Sequence, residues 1–186
     1  MRGKRLFRWW RPRACHKLLG MTIRPVTAND WPRIGELAER LVSLHHALSP
    51  TRFISPGTLP GDLYTSRVSA EIARGNATVY VADRDRQTVG FVYVGVEPES
   101  WKELRDVAGY IHDLFVDEAH RHAGIGGALA AAAVEWLEAR GIVRIMLWTA
   151  AQNVDAQRLF QRAGFRPTMM EMMREQIKGV PSRLDC

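Results

Sequence analysis

The chain has 186 residues, 26 of them Lys or Arg and 20 Asp or Glu, for a formal net charge of +6. That length suits one domain with a real core, and no apolar run reaches the roughly 18 residues that would read as a bilayer-crossing helix. The charge is lopsided: Arg2, Lys4, Arg5, Arg8, Arg11, Arg13 and Lys17 all fall in residues 1–20, where there is no acid, so 19 basic residues remain against the 20 acidic ones.

Residues 1–20 also carry Phe7, Trp9 and Trp10. Arginines mixed with stacking rings suit a weak contact with nucleic acid or an anionic membrane; the plainer reading is a disordered basic tail. The segment lacks the continuous apolar core of a secretory signal, and Met21 is an alternative start of translation. Cys15 and Cys186 lie at opposite ends without metal-ligand spacing, which points to free thiols in a reducing, cytoplasmic compartment.

In chain order, "MTIRPV" reads as a strand. "TANDWPRIGELAERLVSLHHAL" reads as a helix capped by Asn29 or Asp30, with Pro32 in its first turn and Ile34, Leu37, Leu41, Leu44 and Leu48 on one face. A loop rich in proline and glycine leads to a short helix over Asp62–Arg74 that stops at Gly75. "ATVYVADRDRQTVGFVYVGVEP" reads as a β-hairpin, and after a polar connection "YIHDLFVDE" is a further strand. Ile125–Arg140 is an alanine-rich helix with Ile125, Leu129, Ala132, Ala133, Trp136 and Leu137 on its apolar face. "VRIMLWTA" predicts a strand buried on both faces, Asn153 caps a helix through Gln161 that stops at Gly164, and "FRPTMMEMMRE" predicts a last strand. The order is βααββ–β–α–β–α–β, a mixed α/β domain over residues 21–178 between the tail 1–20 and a C-terminal tail 179–186. In the last strand, Met169, Met170, Met172 and Met173 are expected to pack alternately into the core, or to form an adaptable apolar wall. His45 and His46, about 100° apart on their helix, make a poor chelate and suit surface or lining roles.

The chemistry concentrates in "EAHRHAGIGGAL", between a strand and a helix. The start of a helix offers unpaired N–H groups and the positive end of a dipole, worth about 0.3–1 kcal/mol per anionic contact. Gly124 and Gly126 let an anion reach those amides, and Arg121, with His120 and His122 when protonated, adds charge. A dinucleotide fingerprint is excluded by Leu129 where its third Gly or Ala belongs, and a nucleoside triphosphate loop by the lack of Gly-Lys-Ser/Thr.

Two motifs in order, Arg121-x-x-Gly124-x-Gly126 and "NVDAQRLFQRAGF", are similar to the signatures of the GCN5-related N-acetyltransferase (GNAT) family, and the resemblance spans residues 21–175. It implies a GNAT-type acyl-CoA N-acyltransferase fold: a mixed, mostly antiparallel sheet with splayed central strands, flanked by helices. It implies acetyl-CoA as co-substrate and no metal. Arg121, His122, Ala123, Gly124, Ile125, Gly126 and Gly127 would wrap its pyrophosphate. Backbone groups of Leu114, Phe115 and Val116 would pair with the pantetheine arm in the gap between strands 110–116 and 144–149, as an edge strand accepts a peptide. An amide near Leu114 would face the thioester oxygen. The second motif adds Asn153, Ala156 and Phe160 to the cofactor side.

The implied acceptor is a primary amine of a small molecule or peptide, which at pKa about 10.4 costs roughly 4–5 kcal/mol to present neutral at pH 7. "YIHDLFV" resembles the strand that carries an acid at the substrate in polyamine acetyltransferases, and His112 holds that position. An imidazole near pKa 6.5 is expected to serve there as general base, a packed or hydrogen-bonding histidine being the other reading. Asp113 is the alternate, expected on the opposite face of the strand, and Glu97 is a third candidate by position. Phe160 stands where the family usually has the tyrosine that protonates the departing sulfur. A thiol of pKa about 8.5 leaves tolerably as thiolate, so reduced turnover is expected, and a non-catalytic acyl-CoA-binding module is the alternative. Monomer and homodimer both remain open.

Overall fold

The computed structural model describes residues 20–175. The basic segment and the C-terminal tail 179–186, with the nucleic-acid, membrane and start-site expectations, lie outside the described residues. The chain runs β1 (Met21–Pro25), α1 (Trp31–Leu48), α2 (Gly61–Ala73), β2 (Ala77–Arg84), β3 (Gln87–Glu97), β4 (Ala108–Val116), α3 (Ile125–Glu138), β5 (Ile145–Leu147) and α4 (Val154–Arg162). Up to α4 this is the expected order. The strands form one sheet in the order β1-β2-β3-β4-β5, antiparallel except for the parallel pair β4–β5.

The sheet separates two apolar layers. Ile34, Leu37, Ala38 and Leu41 of α1, with Tyr64 and Val68 of α2, bury against Val79, Val81, Phe91 and Phe115. On the other face Ile125, Leu129, Ala133 and Leu137 of α3 bury against Val92, Val94, Ile111 and Val116. The three- and four-residue steps in α1 and the alternation in β2 and β3 place these side chains on facing surfaces, and each full burial is worth about 1.5–3 kcal/mol. The β2–β3 turn takes positive φ at both Asp85 (49°) and Arg86 (63°), the left-handed conformation that matches strand twist in tight hairpins.

Two expectations fail at the far edge. Residues 165–175 form no strand, and Met169, Met170 and Met172 are more than four-fifths exposed, so the methionines do not pack alternately into the core. No strand forms here to pair alongside β5, so the methionines join no buried face. The segment "VRIMLWTA" is not a strand buried on both faces either. Only Ile145–Leu147 pair, all half-buried, while Val143 and Trp148 are 99% and 72% exposed. β5 lies at the end of the sheet with β4 on one side, where an apolar run has no second neighbour to cover it. Among the described residues no helix is long and apolar enough to cross a membrane.

Candidate active site

A β-bulge in β4 builds the centre of the site. Tyr93 of β3 pairs with Asp113, but Val94 pairs with Ile111, which leaves His112 as the extra residue. The extra residue breaks the alternation of faces. Ile111, Leu114 and Val116 point toward α3, whereas Phe115 points toward α1 and α2 and Asp113 accepts a hydrogen bond from the Tyr64 hydroxyl of α2 at 2.9 Å. The His112 ring stacks on Tyr93 at 4.6 Å and on Tyr110 at 5.8 Å. His112 and Asp113 therefore share a face, contrary to the expectation of opposite faces.

Burial sets the protonation of both groups. Desolvation pushes the His112 pKa below its usual 6.5, against the opposing pull of Glu97, Asp113 and Glu71. Glu97 Oε1 lies 3.1 Å from His112 Nε2, yet out of line, so this buried nitrogen has no aligned hydrogen-bond partner. Gly95 makes room for the ring, since a Cβ there would stand 3.2 Å from Nε2. Desolvation also raises the Asp113 carboxyl pKa, opposed by the Tyr64 hydrogen bond and by the nearby His112 and His45. Tyr93 beside them is pushed up to about 12, chiefly by burial. His45 is half-buried and stacks on Phe53 at 4.8 Å.

Pairing between β4 and β5 ends at Ile111 with Leu147, while β4 continues to Val116. The strands thus part, and the edge of β4 from His112 to Val116 is left without β5. Beyond it comes one 3₁₀ turn, Glu118–His120, then the glycine-rich loop. Gly124 caps α3 with φ 79°. The first helical bond runs from the Ala128 N–H to Gly124 O at 3.1 Å, so the amides of Ile125, Gly126 and Gly127 have no helical acceptor. No acid stands in that turn, and the space over Gly127 is open within 4 Å. Gly126 has a packing reason too: a Cβ there would lie 2.6 Å from Leu159 Cδ1 of α4. His122 takes a positive φ of 62° and is exposed, as is Ala123.

Arg121 does not extend over this turn. Its Nε donates to Val116 O at 3.1 Å and its guanidinium sits 5.5 Å from the Phe115 ring, which ties the loop back to β4. The carboxylate of Asp117 holds the loop's start: it accepts from Arg33 at 2.9 Å and from Arg40 at 2.6 and 3.2 Å. Arg40 comes first among the causes that keep the Asp117 carboxyl below the usual carboxylate range. The second motif forms α4, where Asn153 Oδ1 accepts the Ala156 N–H at 3.1 Å. Asn153 thus caps the helix as expected, and both groups are engaged with each other. Phe160 is buried, 5.6 Å edge-on to Phe165.

The sequence model of the Acetyltransferase (GNAT) family matches residues 41–165. The chain belongs to this family. Within the GNAT relatives, a mycothiol acetyltransferase of Cellulomonas flavigena is 36% identical over 98 residues, covering 50% of this chain and 28% of that protein. The chain thus spans less than a third of that curated relative's length. A GCN5-related N-acetyltransferase of Ralstonia eutropha has the same fold, with a TM-score of 0.63 and 26% identity over 86% of this chain and 100% of that one. A "predicted acetyltransferase" of Clostridium acetobutylicum, crystallised with acetyl-CoA, shares the fold at 0.66 and 15% identity, covering 83% and 96%. The GNAT fold expected from the two motifs is therefore the fold observed.

Of the residues singled out in the sequence, His112 and Asp113 fall on one face, and the β4 edge and the loop follow one another along the chain; Tyr64, Arg33, Arg40 and Asp117, which brace them, were not among the residues singled out. A signal existed for the arginines: they stand seven residues apart, two turns, and so share one face of α1. Tyr64 carried none, because its partner lies 49 positions away.

Proposed function

We propose that this chain transfers the acetyl group of acetyl-CoA to a primary amine. One observation carries the reading: β4–β5 pairing stops one residue before a buried, unpartnered His112 nitrogen, and the uncovered β4 edge leads to an open, acid-free helix start. The residues present fit the co-substrate. The free amides of Ile125, Gly126 and Gly127 suit a diphosphate, and the β4 edge at Leu114, Phe115 and Val116 suits an amide-bearing arm. Membership of the GNAT family supports the same assignment.

Acetyl-CoA supplies the acetyl group as an activated thioester. Neutral His112 takes the proton that an ammonium must lose, directly or through water, and Glu97 beside it favours a cation at that position. The nitrogen lone pair then forms the C–N bond as the C–S bond breaks, the electron pair of that bond leaves on sulfur, and the second proton of the attacking nitrogen passes to solvent water. Main-chain N–H groups of the β4 edge are the donors available to the carbonyl oxygen as charge develops. Phe160 donates nothing, so the thiolate takes its proton from water.

Calorimetry with acetyl-CoA, followed by amine-dependent release of the CoA thiol, tests the reading. Binding with release supports it. A folded chain that ignores acetyl-CoA overturns it, and binding without release for any amine makes the chain a non-catalytic acyl-CoA-binding module.

A further inference from the structure

We propose that the acceptor is a primary amine bearing a single positive charge on an aromatic or flat apolar body, and that Glu97 selects the charge while Trp148 selects the body. This rests on the acetyl-transfer reading and adds its substrate class.

A cleft of about 270 Å³ opens beside the point where β4 and β5 part, lined by Glu97 and His112 at one side, Glu103 and Arg105 at another, and Tyr110 and Trp148. That volume lies at the small end for ligand sites and suits one compact molecule. Its charges are not equivalent. Glu103 is occupied: it pairs with Arg105 Nε and accepts the Tyr110 hydroxyl at 3.3 Å. Arg105 is held in turn by Pro98 O at 2.6 Å and sits 5.0 Å over the Tyr110 ring. These two charges cancel. Glu97 has only the misaligned His112 nitrogen opposite it, so of the two acids that line the cleft it is the one without a cationic partner. One ammonium completes that pairing. A second ammonium on the same molecule would meet the Glu103–Arg105 pair, whose charges already cancel, and find no free acid there, which disfavours polyamines.

The rim supplies the other half. Trp148 is 72% exposed and meets Tyr110 at right angles, with 6.2 Å between ring centres, a contact that occupies at most one face of the indole and leaves the other open. An open indole face beside a cleft suits a flat apolar group.

The test uses the full-length chain and measures acetyl-CoA-dependent thiol release with phenethylamine, n-butylamine and spermidine, with acetyl-CoA binding measured separately by calorimetry. Phenethylamine is expected to exceed spermidine in kcat/KM by about tenfold or more. Glu97→Gln is expected to lose about ten- to hundredfold for phenethylamine with acetyl-CoA affinity unchanged. Trp148→Ala narrows the preference for phenethylamine over n-butylamine by about three- to tenfold. Arg105→Gln frees Glu103 and moves the preference toward spermidine, whereas Arg105→Lys keeps the parent order. A parent chain that prefers spermidine, an indifferent Glu97→Gln, or an unmoved order in Arg105→Gln overturns the proposal. Acetyl-CoA binding without use of any monoamine overturns the substrate class alone; failure to bind acetyl-CoA overturns the acetyl-transfer reading with it.

Discussion

Gly61, the first residue of α2, lies against Gly35 of α1 so closely that a Cβ on Gly61 would stand 2.7 Å from the Gly35 carbonyl carbon. The Gly61 N–H also donates to Glu39 of α1 at 2.7 Å. This crossing sets the height of Tyr64, one turn on, over Asp113. Backbone cannot rotate away as a side chain can, so Gly61→Ala is expected to cost about 1–3 kcal/mol or more and to weaken catalysis by shifting α2. Denaturant unfolding checks the first effect. An unchanged midpoint would show that the two helices separate freely.

Tyr64→Phe removes the one hydrogen-bond donor to Asp113 among the described residues, which opposes the effect of its burial. The folded pKa of Asp113 lies above its unfolded value of about 3.8, so ionisation there costs stability: the cost is absent below the unfolded pKa and complete above the folded one. Tyr64→Phe enlarges it, and the loss of about 1–3 kcal/mol for an unpaired buried acceptor is expected at pH 7 but not near pH 4. Adding Asp113→Asn should recover part of the loss at pH 7. Unfolding free energies of the three chains at the two pH values provide the measurement; a loss that ignores pH contradicts it.

The acid limb of kcat/KM should belong to His112. The base works when neutral, and burial holds its pKa below 6.5 despite Glu97, Asp113 and Glu71. Activity is therefore level at neutral pH and falls only as pH drops below that value. His112→Gln is expected to lose about 10²–10⁴-fold in rate and to abolish the limb. Stability follows the same sign, because the folded chain resists protonation, and it declines as pH falls below 6.5. A limb that survives in His112→Gln assigns the base elsewhere.

Asp117 joins α1 to the loop through Arg33 and Arg40. Asp117→Ala releases the loop's start and leaves two guanidinium groups without their carboxylate. Acetyl-CoA affinity is expected to fall about ten- to hundredfold, as misplacement of about an ångström does elsewhere, with the amine KM altered less. Titration calorimetry decides; equal affinity would make the cluster a stabilising feature with no part in binding.

The sequence by itself determined much of this molecule, because the relevant physics is local. Ile34, Leu37 and Leu41 at helical spacing specify the buried face of α1, Gly124 before an alanine-rich run specifies a helix start with free amides, and Asn153 specifies a cap. Tertiary structure decided the rest. The bulge at His112 depends on the register between β3 and β4, which no strand pattern reveals alone, and it puts His112 and Asp113 on one face. Tyr64, Glu97 and Arg105 acquire meaning only when α2, the end of β3 and the 98–107 connection converge on that face. The exposure of Trp148 and Met169–Met173 likewise follows from β5 being the last strand of the sheet, since an apolar residue is buried only where a neighbour exists to cover it.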